Sequence, residues 1–162
     1  MSHTDPPTLP PELTIRLARK RDAGVIARMS RDQVERGLGW SWRSRRVARA
    51  IQDPETCVIV AIDSARRALA GFAIMKFSAD AAHLHLLAVA PAHRRQGVGR
   101  ALLGWLEASA RTAGVTSLHL EVRASNVGAR AFYASLGFHE AATVRGYYRG
   151  REHAVKMVRA LT

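Results

Sequence analysis

The chain has 162 residues, a length typical of one domain, and 48% of them are hydrophobic. That share supports a packed core and excludes an intrinsically disordered chain, while no apolar run is long enough to span a bilayer. The single cysteine, Cys57, leaves no disulfide within the chain, so we expect a reducing, cytoplasmic compartment. The net charge of +12 is mostly arginine, because only three of the 25 basic residues are lysines. Arginine binds phosphate bidentately, so the charge favours a polyanionic partner such as a nucleotide cofactor, RNA or the ribosome; compositional drift in an arginine-favouring genome is the alternative.

The elements follow from apolar periodicity and from the glycines and prolines that interrupt it. Residues 1–12 predict a disordered, proline-rich leader without the apolar core of a signal peptide, and residues 13–162 predict one domain. In the first half of the chain we expect a strand at 13–17, a helix capped by Asp22 and reaching Val34, a short helix at 44–51, and strands at 56–62, 69–77 and 83–89. A helix at 98–112 and a strand at 117–122 follow. Asn126 then precedes a helix that runs to about Leu136, and the last elements are hairpin strands at 138–148 and 153–160. This order predicts a mixed α/β sheet with helices on both faces.

A basic loop that contains two glycines joins the strand ending at Val89 to the helix starting near Val98. The free N–H groups and partial positive charge of a helix N-terminus bind anions. Gly97 and Gly99 would let a phosphate approach those N–H groups, and the arginines around them add full charges. A helix start with ordinary solvated arginines is the alternative. The loop is neither a P-loop nor a dinucleotide-binding fingerprint, because it lacks the residues that those motifs require.

The Arg94-x-x-Gly97-x-Gly99 string, with its flanking strand and helix, resembles the cofactor signature of the GCN5-related N-acetyltransferase (GNAT) superfamily. The resemblance covers about residues 13–161 and implies a single-domain fold with a mixed, mostly antiparallel twisted sheet of about seven strands. It implies acetyl-CoA as co-substrate, with its pantetheine paired to the main chain of a strand and its pyrophosphate held by the loop. The cofactor-binding residues it implies are Leu87, Ala88, Val89, Arg94, Arg95, Gln96, Gly97, Val98, Gly99, Arg100, Ala101 and Asn126.

A second group of residues runs from Glu121 to Phe138. By itself Asn126 reads as a helix N-cap, and Tyr133 reads either as a half-buried packing residue or as a phenol that protonates a departing thiolate. The segment is similar to the ribosomal-protein-alanine N-acetyltransferase (RimI-like) branch of the superfamily. That similarity implies that Tyr133 is the general acid, Glu121 the general base, and Asn126 a ligand of the pantetheine.

His83 and His85 alternate along the strand at 83–89, with Leu84 and Leu86 on its opposite face. His85 is a second candidate for the base, since histidine titrates near physiological pH, and a partly solvated strand histidine is the alternative. We expect no metal site, because no third ligand is spaced to join this pair.

The acceptor side is predicted from two aromatic segments. Trp40 either lines an acceptor groove or packs on the core, and Tyr147 and Tyr148 lie in a segment that resembles the part of RimI-like proteins that shapes the peptide site. The predicted function is acetyl transfer in a ternary complex to a primary amine, foremost a protein N-terminal α-amine. Its pKa near 8 leaves part of it neutral without a strong base. A small-molecule amine acetyltransferase and a non-catalytic acyl-CoA or RNA-binding module are the alternatives. Association with the ribosome is a further expectation, no membrane partner is expected, and a monomer and a homodimer both remain open.

Overall fold

The computed structural model describes residues 9–161, which form one seven-stranded sheet covered by α-helices on both faces. The strands are β1 (Leu13–Leu17), β2 (Thr56–Asp63), β3 (Ala68–Phe77), β4 (Ala81–Val89), β5 (Ser117–Arg123), β6 (His139–Tyr148) and β7 (Glu152–Ala160). The α-helices are α1 (Ala23–Met29), α2 (Ser44–Gln52), α3 (Val98–Thr112) and α4 (Val127–Ser135). The predicted α/β fold and its seven strands are confirmed.

The spatial order of the strands is β1-β2-β3-β4-β5-β7-β6, and every neighbouring pair is antiparallel except β4 and β5. Those two central strands are parallel because α3 carries the chain back over the sheet between them. The mixed, mostly antiparallel sheet expected from the sequence is therefore present, and its one parallel pair lies at the centre.

Two hydrophobic clusters form the core, one on each face of the sheet. α3, the ring of Tyr133 in α4 and alternate residues of the central strands form the first cluster, whereas α1 and α2 cover the second. In β3, for example, Ala73 and Met75 belong to the first cluster, and Phe72 and Ile74 to the second. This alternation is the period of two that a strand buried on both faces requires.

A β-bulge interrupts that alternation in β4. Met75 pairs with Leu84 and Ile74 pairs with Leu86, so His85 is an extra residue without a partner in β3. As a result Leu84 packs in the first cluster and Leu86 in the second. The prediction that these two leucines share a face is therefore wrong, because the bulge shifts the side-chain alternation by one residue.

The first helix also differs from its prediction. The segment after Asp22 that was predicted as one helix consists of α1 and a π-helical turn at Ser30–Val34, and a 3₁₀ turn at Lys20–Asp22 precedes it. The carboxylate of Asp22 does not cap α1; it accepts hydrogen bonds from Arg16 and from the backbone N–H of Arg19.

The predicted leader lies partly within the described residues. Leu9 packs against the first cluster, and the carbonyl of Glu12 accepts hydrogen bonds from the backbone and the hydroxyl of Ser64. Residues 1–8 of the predicted leader lie outside the described residues. Between residues 9 and 161, no helix is both long and apolar enough to cross a membrane.

Candidate active site

The central parallel strands separate halfway along their length. β4 and β5 pair from Ala81 with Ser117 to Leu84 with Leu120, and no pairing follows beyond Leu84. The rest of β4 keeps its antiparallel partner β3 on the other side, where Leu87 pairs with Ala73 and Val89 with Gly71. The edge of β4 that faces β5 over residues 85–89 is therefore open to pair with another extended chain.

The Arg94–Gly99 loop lies at the end of this open edge and leads into α3. Arg95 and Gly97 both adopt a left-handed backbone, with φ of 64° and 77°. Glycine takes that conformation without strain, and here Gly97 forms the N-cap of α3. The first helical bond runs from the N–H of Ala101 to the carbonyl of Gly97, so the N–H groups of the first turn keep no helical partner.

The flanks of the loop hold it against two other elements. The Arg94 guanidinium donates to the side-chain oxygen of Gln33 at 2.9 Å, which joins the loop to the π-helical turn. A Cβ on Gly99 would lie 3.1 Å from the ring of Phe132, so this glycine permits close packing of α3 on α4. Arg95, Gln96 and Arg100 are exposed at the same helix end.

A cavity of about 600 Å³ opens where β4 and β5 separate. It is lined by α4, the β6–β7 hairpin, the π-helical turn and the loop before α2, and its walls include Leu87, Glu121, Asn126 and Tyr133. We call it the central cavity. Because Leu87 and Asn126 also flank the open edge of β4, the central cavity and that edge are continuous.

Glu121, His83 and His85 form a hydrogen-bonded group in the wall of the central cavity. A ring nitrogen of His83, Nε2, contacts a carboxylate oxygen of Glu121, and its Nδ1 lies 3.2 Å from Nδ1 of His85. The hydrogen bond from His83 lowers the pKa of Glu121 despite its partial burial. Although His85 is partly exposed to the cavity, its burial, together with any positive charge on His83 and the charge of Arg46, lowers its pKa to about 4. Both predicted base candidates therefore belong to one group.

Tyr133 enters the central cavity from the opposite face of the sheet. Its side chain is only 8% exposed, and its ring makes edge contacts with Phe132 and Phe138 at 5.2 and 5.7 Å between centroids. Burial raises the pKa of its hydroxyl, so the phenol holds its proton throughout the physiological range. The ring is more buried than the half-buried position expected from the sequence.

Asn126 caps α4, as its position between a strand and a helix suggests. Its side-chain oxygen accepts a hydrogen bond from the N–H of Ala129 at 3.0 Å. Because the residue also lines the central cavity, its amide nitrogen can donate a hydrogen bond to a ligand there. Capping and ligand binding are thus compatible at this position.

Tyr147 and Tyr148 lie on the wall of the central cavity next to Glu121. Their rings contact edge to face at 4.9 Å, and the guanidinium of Arg123 lies 6.0 Å from the ring of Tyr148. Burial raises the pKa of both tyrosines, that of Tyr148 to about 12. Arg123 also donates to the carbonyl of Val34 at 2.8 Å, which links this wall to the π-helical turn.

The structure places Trp40 on the core and Trp42 in the central cavity. The indole N–H of Trp40 donates to the carbonyls of Ala27 and Trp42, and Trp40 packs against the second cluster rather than lining the cavity. Trp42 lies 5.9 Å from His85, and Arg46 stacks over it at 3.8 Å. Of the two predicted alternatives for Trp40, an acceptor groove and the core, the structure shows packing on the core.

A buried carboxylate holds this loop in place. Glu35 is 8% exposed, and it accepts hydrogen bonds from the hydroxyls of Ser30 and Ser41 and from the backbone N–H groups of Ser41 and Trp42. Sequence reasoning missed Glu35, Trp42 and the contact of His83 with Glu121. The two serines that bind Glu35 lie five and six residues away along the chain, so an acidic residue at a helix end was the only local signal for the first.

The predicted cofactor and acceptor residues therefore lie at two ends of one opening. Leu87, Ala88, Val89 and the Arg94–Gly99 loop are at one end, and Glu121, Tyr147 and Tyr148 are at the other. Among residues 9–161 no group of three histidine, cysteine or carboxylate side chains is arranged to hold a metal ion. The fold and site define an α/β protein with a split parallel strand pair and an anion-binding loop beside an acid–base cavity.

The family model described as the acetyltransferase (GNAT) family matches residues 26–138, and the chain belongs to that family. Over 92 residues the chain is 50% identical to the [ribosomal protein bS18]-alanine N-acetyltransferase of Escherichia coli strain K12. That match includes 55% of this chain and 62% of the relative, so the chain spans less than two thirds of the length of the curated relatives it matches.

Solved structures extend the similarity across the fold. The ribosomal-protein-S18-alanine N-acetyltransferase from Escherichia coli superposes with a TM-score of 0.79 and 35% identity over 93% of this chain and 94% of that one. The yncA protein from Salmonella typhimurium, solved with its cofactor acetyl-CoA, superposes with a TM-score of 0.75 and 25% identity over 93% and 95% of the two chains.

Proposed function

We propose that this protein is an acetyl-CoA-dependent N-acetyltransferase whose acceptor is the N-terminal α-amine of a protein. The observation that carries the proposal is the opening between β4 and β5, which joins an anion-binding loop to a cavity containing a carboxylate, two histidines and a protonated phenol. The 35% identity to the bS18 enzyme supports the acceptor class.

The residues at the loop end fit acetyl-CoA. The N–H groups from Gln96 to Arg100, which precede the first helical bond, suit a pyrophosphate, because Gly97 leaves no Cβ in their way and Arg94, Arg95 and Arg100 add positive charge. The open main chain of Leu87, Ala88 and Val89 suits the amides of a pantetheine arm, with Asn126 across the gap. When bound, acetyl-CoA supplies an activated acetyl group on a thiol that can depart.

The residues of the cavity supply the proton transfers. The group that contains Glu121 and His85 accepts the proton lost by the attacking amine, since a neutral imidazole and a carboxylate are both bases at neutral pH. Tyr133 keeps its proton until the thiolate departs, because burial disfavours the phenolate. Base and acid approach from opposite faces of the sheet, so neither blocks the other.

The acceptor wall favours a peptide. Tyr147, Tyr148 and Trp42 present aromatic faces, and Arg123 and Arg46 carry positive charge near them. Flat aromatic walls with hydrogen-bonding edges suit an extended backbone. Cationic side chains at the rim oppose polyamines and other multiply charged small amines. The proposal includes a cytoplasmic location and contact with the ribosome, because the cytoplasm and the ribosome are where the N-termini of ribosomal proteins are found.

The test measures CoA release with three acceptors: peptides with a free N-terminus, the same peptides with a formylated N-terminus, and polyamines or aminoglycosides. We expect turnover only with the free N-termini, and an internal lysine in the formylated peptide serves as the matched control for side-chain amines. Turnover of the small amines without any peptide would instead establish a small-molecule acetyltransferase. Salt-sensitive RNA binding without acetyl transfer to any acceptor would establish a binding module.

A further inference from the structure

The proposed mechanism gives no role to His83, the middle member of the group in the wall of the central cavity. His83 lies between Glu121 and His85 and contacts both. The parallel pairing places His83 opposite His119, two residues before Glu121, and the bulge in β4 turns His85 toward the same group. The contact of His83 with Glu121 does not follow from the sequence spacing, because it depends on the register of β4 and β5.

The hydrogen-bond pattern of this group determines which nitrogens carry protons. A carboxylate only accepts, so Nε2 of His83 donates to Glu121. Nδ1 of a neutral His83 is then an acceptor, and the Nδ1–Nδ1 distance of 3.2 Å requires that Nδ1 of His85 donates to it. A neutral His85 with its proton on Nδ1 has a free lone pair on Nε2, which has no partner among residues 9–161.

We propose that Glu121, His83 and His85 act as one proton relay, in which Nε2 of His85 takes the proton of the attacking amine and His83 receives the resulting charge. The inference rests on the proposed acetyltransferase function and adds His83 to it as a residue that acts through His85. Glu121 is ionised and acts through His83, so in this relay it is a positioning residue.

The proton balance is complete without a further reactant. Nε2 of His85 binds a proton from the amine nitrogen as that nitrogen forms its bond to the acetyl carbon, and Nδ1 of His85 gives its own proton to Nδ1 of His83. Tyr133 gives its proton to the sulfur when the carbon–sulfur bond breaks. After product release His83 loses the extra proton to solvent through His85, and Tyr133 regains one from solvent.

The charges around the group favour this direction of transfer. Arg46 from α2 and Lys76 from β3 disfavour a charge on His85, and Lys156 from β7 lies near Glu121. The pKa of His85 of about 4 means that it does not retain a proton at neutral pH. The carboxylate of Glu121 stabilises the charge on His83 directly, because the two groups are hydrogen-bonded. Tyr147 and Tyr148 stay neutral, since burial raises their pKa values.

The first experiment compares kcat for three variants, His83→Gln, His85→Gln and the double variant, using whichever amine the wild type acetylates best. If the two histidines act as a unit, each single variant loses roughly 100-fold in kcat and the double variant loses little more. KM for acetyl-CoA should stay within a factor of about two. His119→Gln is the matched control, because His119 pairs with His83 in the sheet but does not line the central cavity.

If His83→Gln keeps wild-type kcat while Glu121→Gln loses it, Glu121 is the base through water and the relay is wrong. Losses that multiply in the double variant would also overturn it. A second measurement needs no turnover: ¹⁵N NMR of the histidine rings at neutral pH should show the Nε2–H form of His83 and the Nδ1–H form of His85. The opposite tautomers would refute the relay even if acetyl transfer to peptides is established. Failure of every peptide acceptor would instead refute only the proposed function.

Discussion

Replacement of Tyr133 by phenylalanine separates the two roles that one buried ring can have. The substitution keeps the edge contacts with Phe132 and Phe138 and removes only the hydroxyl. No hydrogen bond to that hydroxyl occurs within residues 9–161, so its loss should change the free energy of unfolding by less than about 1 kcal/mol. If Tyr133 is only a packing residue, Tyr133→Phe should therefore leave both stability and kcat close to those of the wild type.

A general acid would not tolerate it. Proton donation by a positioned side chain contributes about 10²- to 10⁴-fold, or about 3–5 kcal/mol of barrier, so we expect kcat of Tyr133→Phe to fall by at least about 100-fold. KM for acetyl-CoA should remain within a factor of about two, because the loop and the open edge of β4 are untouched. In the wild type, the raised pKa of Tyr133 predicts that the acid keeps its proton at pH values where an ordinary tyrosine begins to lose it.

The assay is steady-state CoA release from pH 6 to pH 10, with urea unfolding to compare stability. Tyr147→Phe is the matched control: it removes a phenol from the same cavity, but from a ring that is 47% exposed. Its effect should be on KM for the peptide, with kcat within a factor of about three. Wild-type kcat for Tyr133→Phe at all these pH values would refute the acid role and leave Tyr133 as a core residue.

Two further predictions concern the fold around the loop. A Cβ on Gly71 would lie 2.8 Å from the carbonyl oxygen of Ala88. Gly71→Ala should therefore lower the free energy of unfolding, measured by urea titration, by about 1–3 kcal/mol. An unchanged urea midpoint would contradict the close approach of β3 to β4 at this residue. The hydrogen bond from His93 holds the pKa of Asp63 below its ordinary value. The ionised Asp63 carboxylate therefore stabilises the folded state above about pH 4, and this stabilisation is lost as pH falls through the lowered folded-state pKa. Asp63→Asn should therefore flatten part of the acid limb of stability, measured by urea unfolding between pH 3 and pH 7, and parallel pH profiles for variant and wild type would contradict this.

The fold and the loop end of the site were predictable because their signals are local. Gly97 lies where a helix begins and needs a left-handed backbone, and the strand before it is ended by Pro91. Each of these features depends on residues within a few positions of one another. The family resemblance rests on the same short segment, and the match over residues 26–138 bears it out.

The acceptor end of the site depends on contacts between distant residues, which the apolar periodicity of the sequence does not predict. The prediction for Leu84 and Leu86 failed because the bulge at His85 arises from how β3 and β4 pair. Trp42, rather than Trp40, reaches the cavity because the buried carboxylate of Glu35 holds the backbone of Trp42 in place. A sequence of tryptophans and acidic residues does not specify which of them the chain will turn inward.

The sequence by itself therefore determined the class of fold, the anion-binding loop, and the candidate acid and bases as residue types. Only the tertiary structure decided that Glu121 and His85 belong to one group, with His83 between them. The physical reason is that a parallel strand pair is joined by a long crossover, so its register and the point where it separates depend on the packing of α3 and on the bulge. That point of separation creates both the central cavity and the open edge of β4.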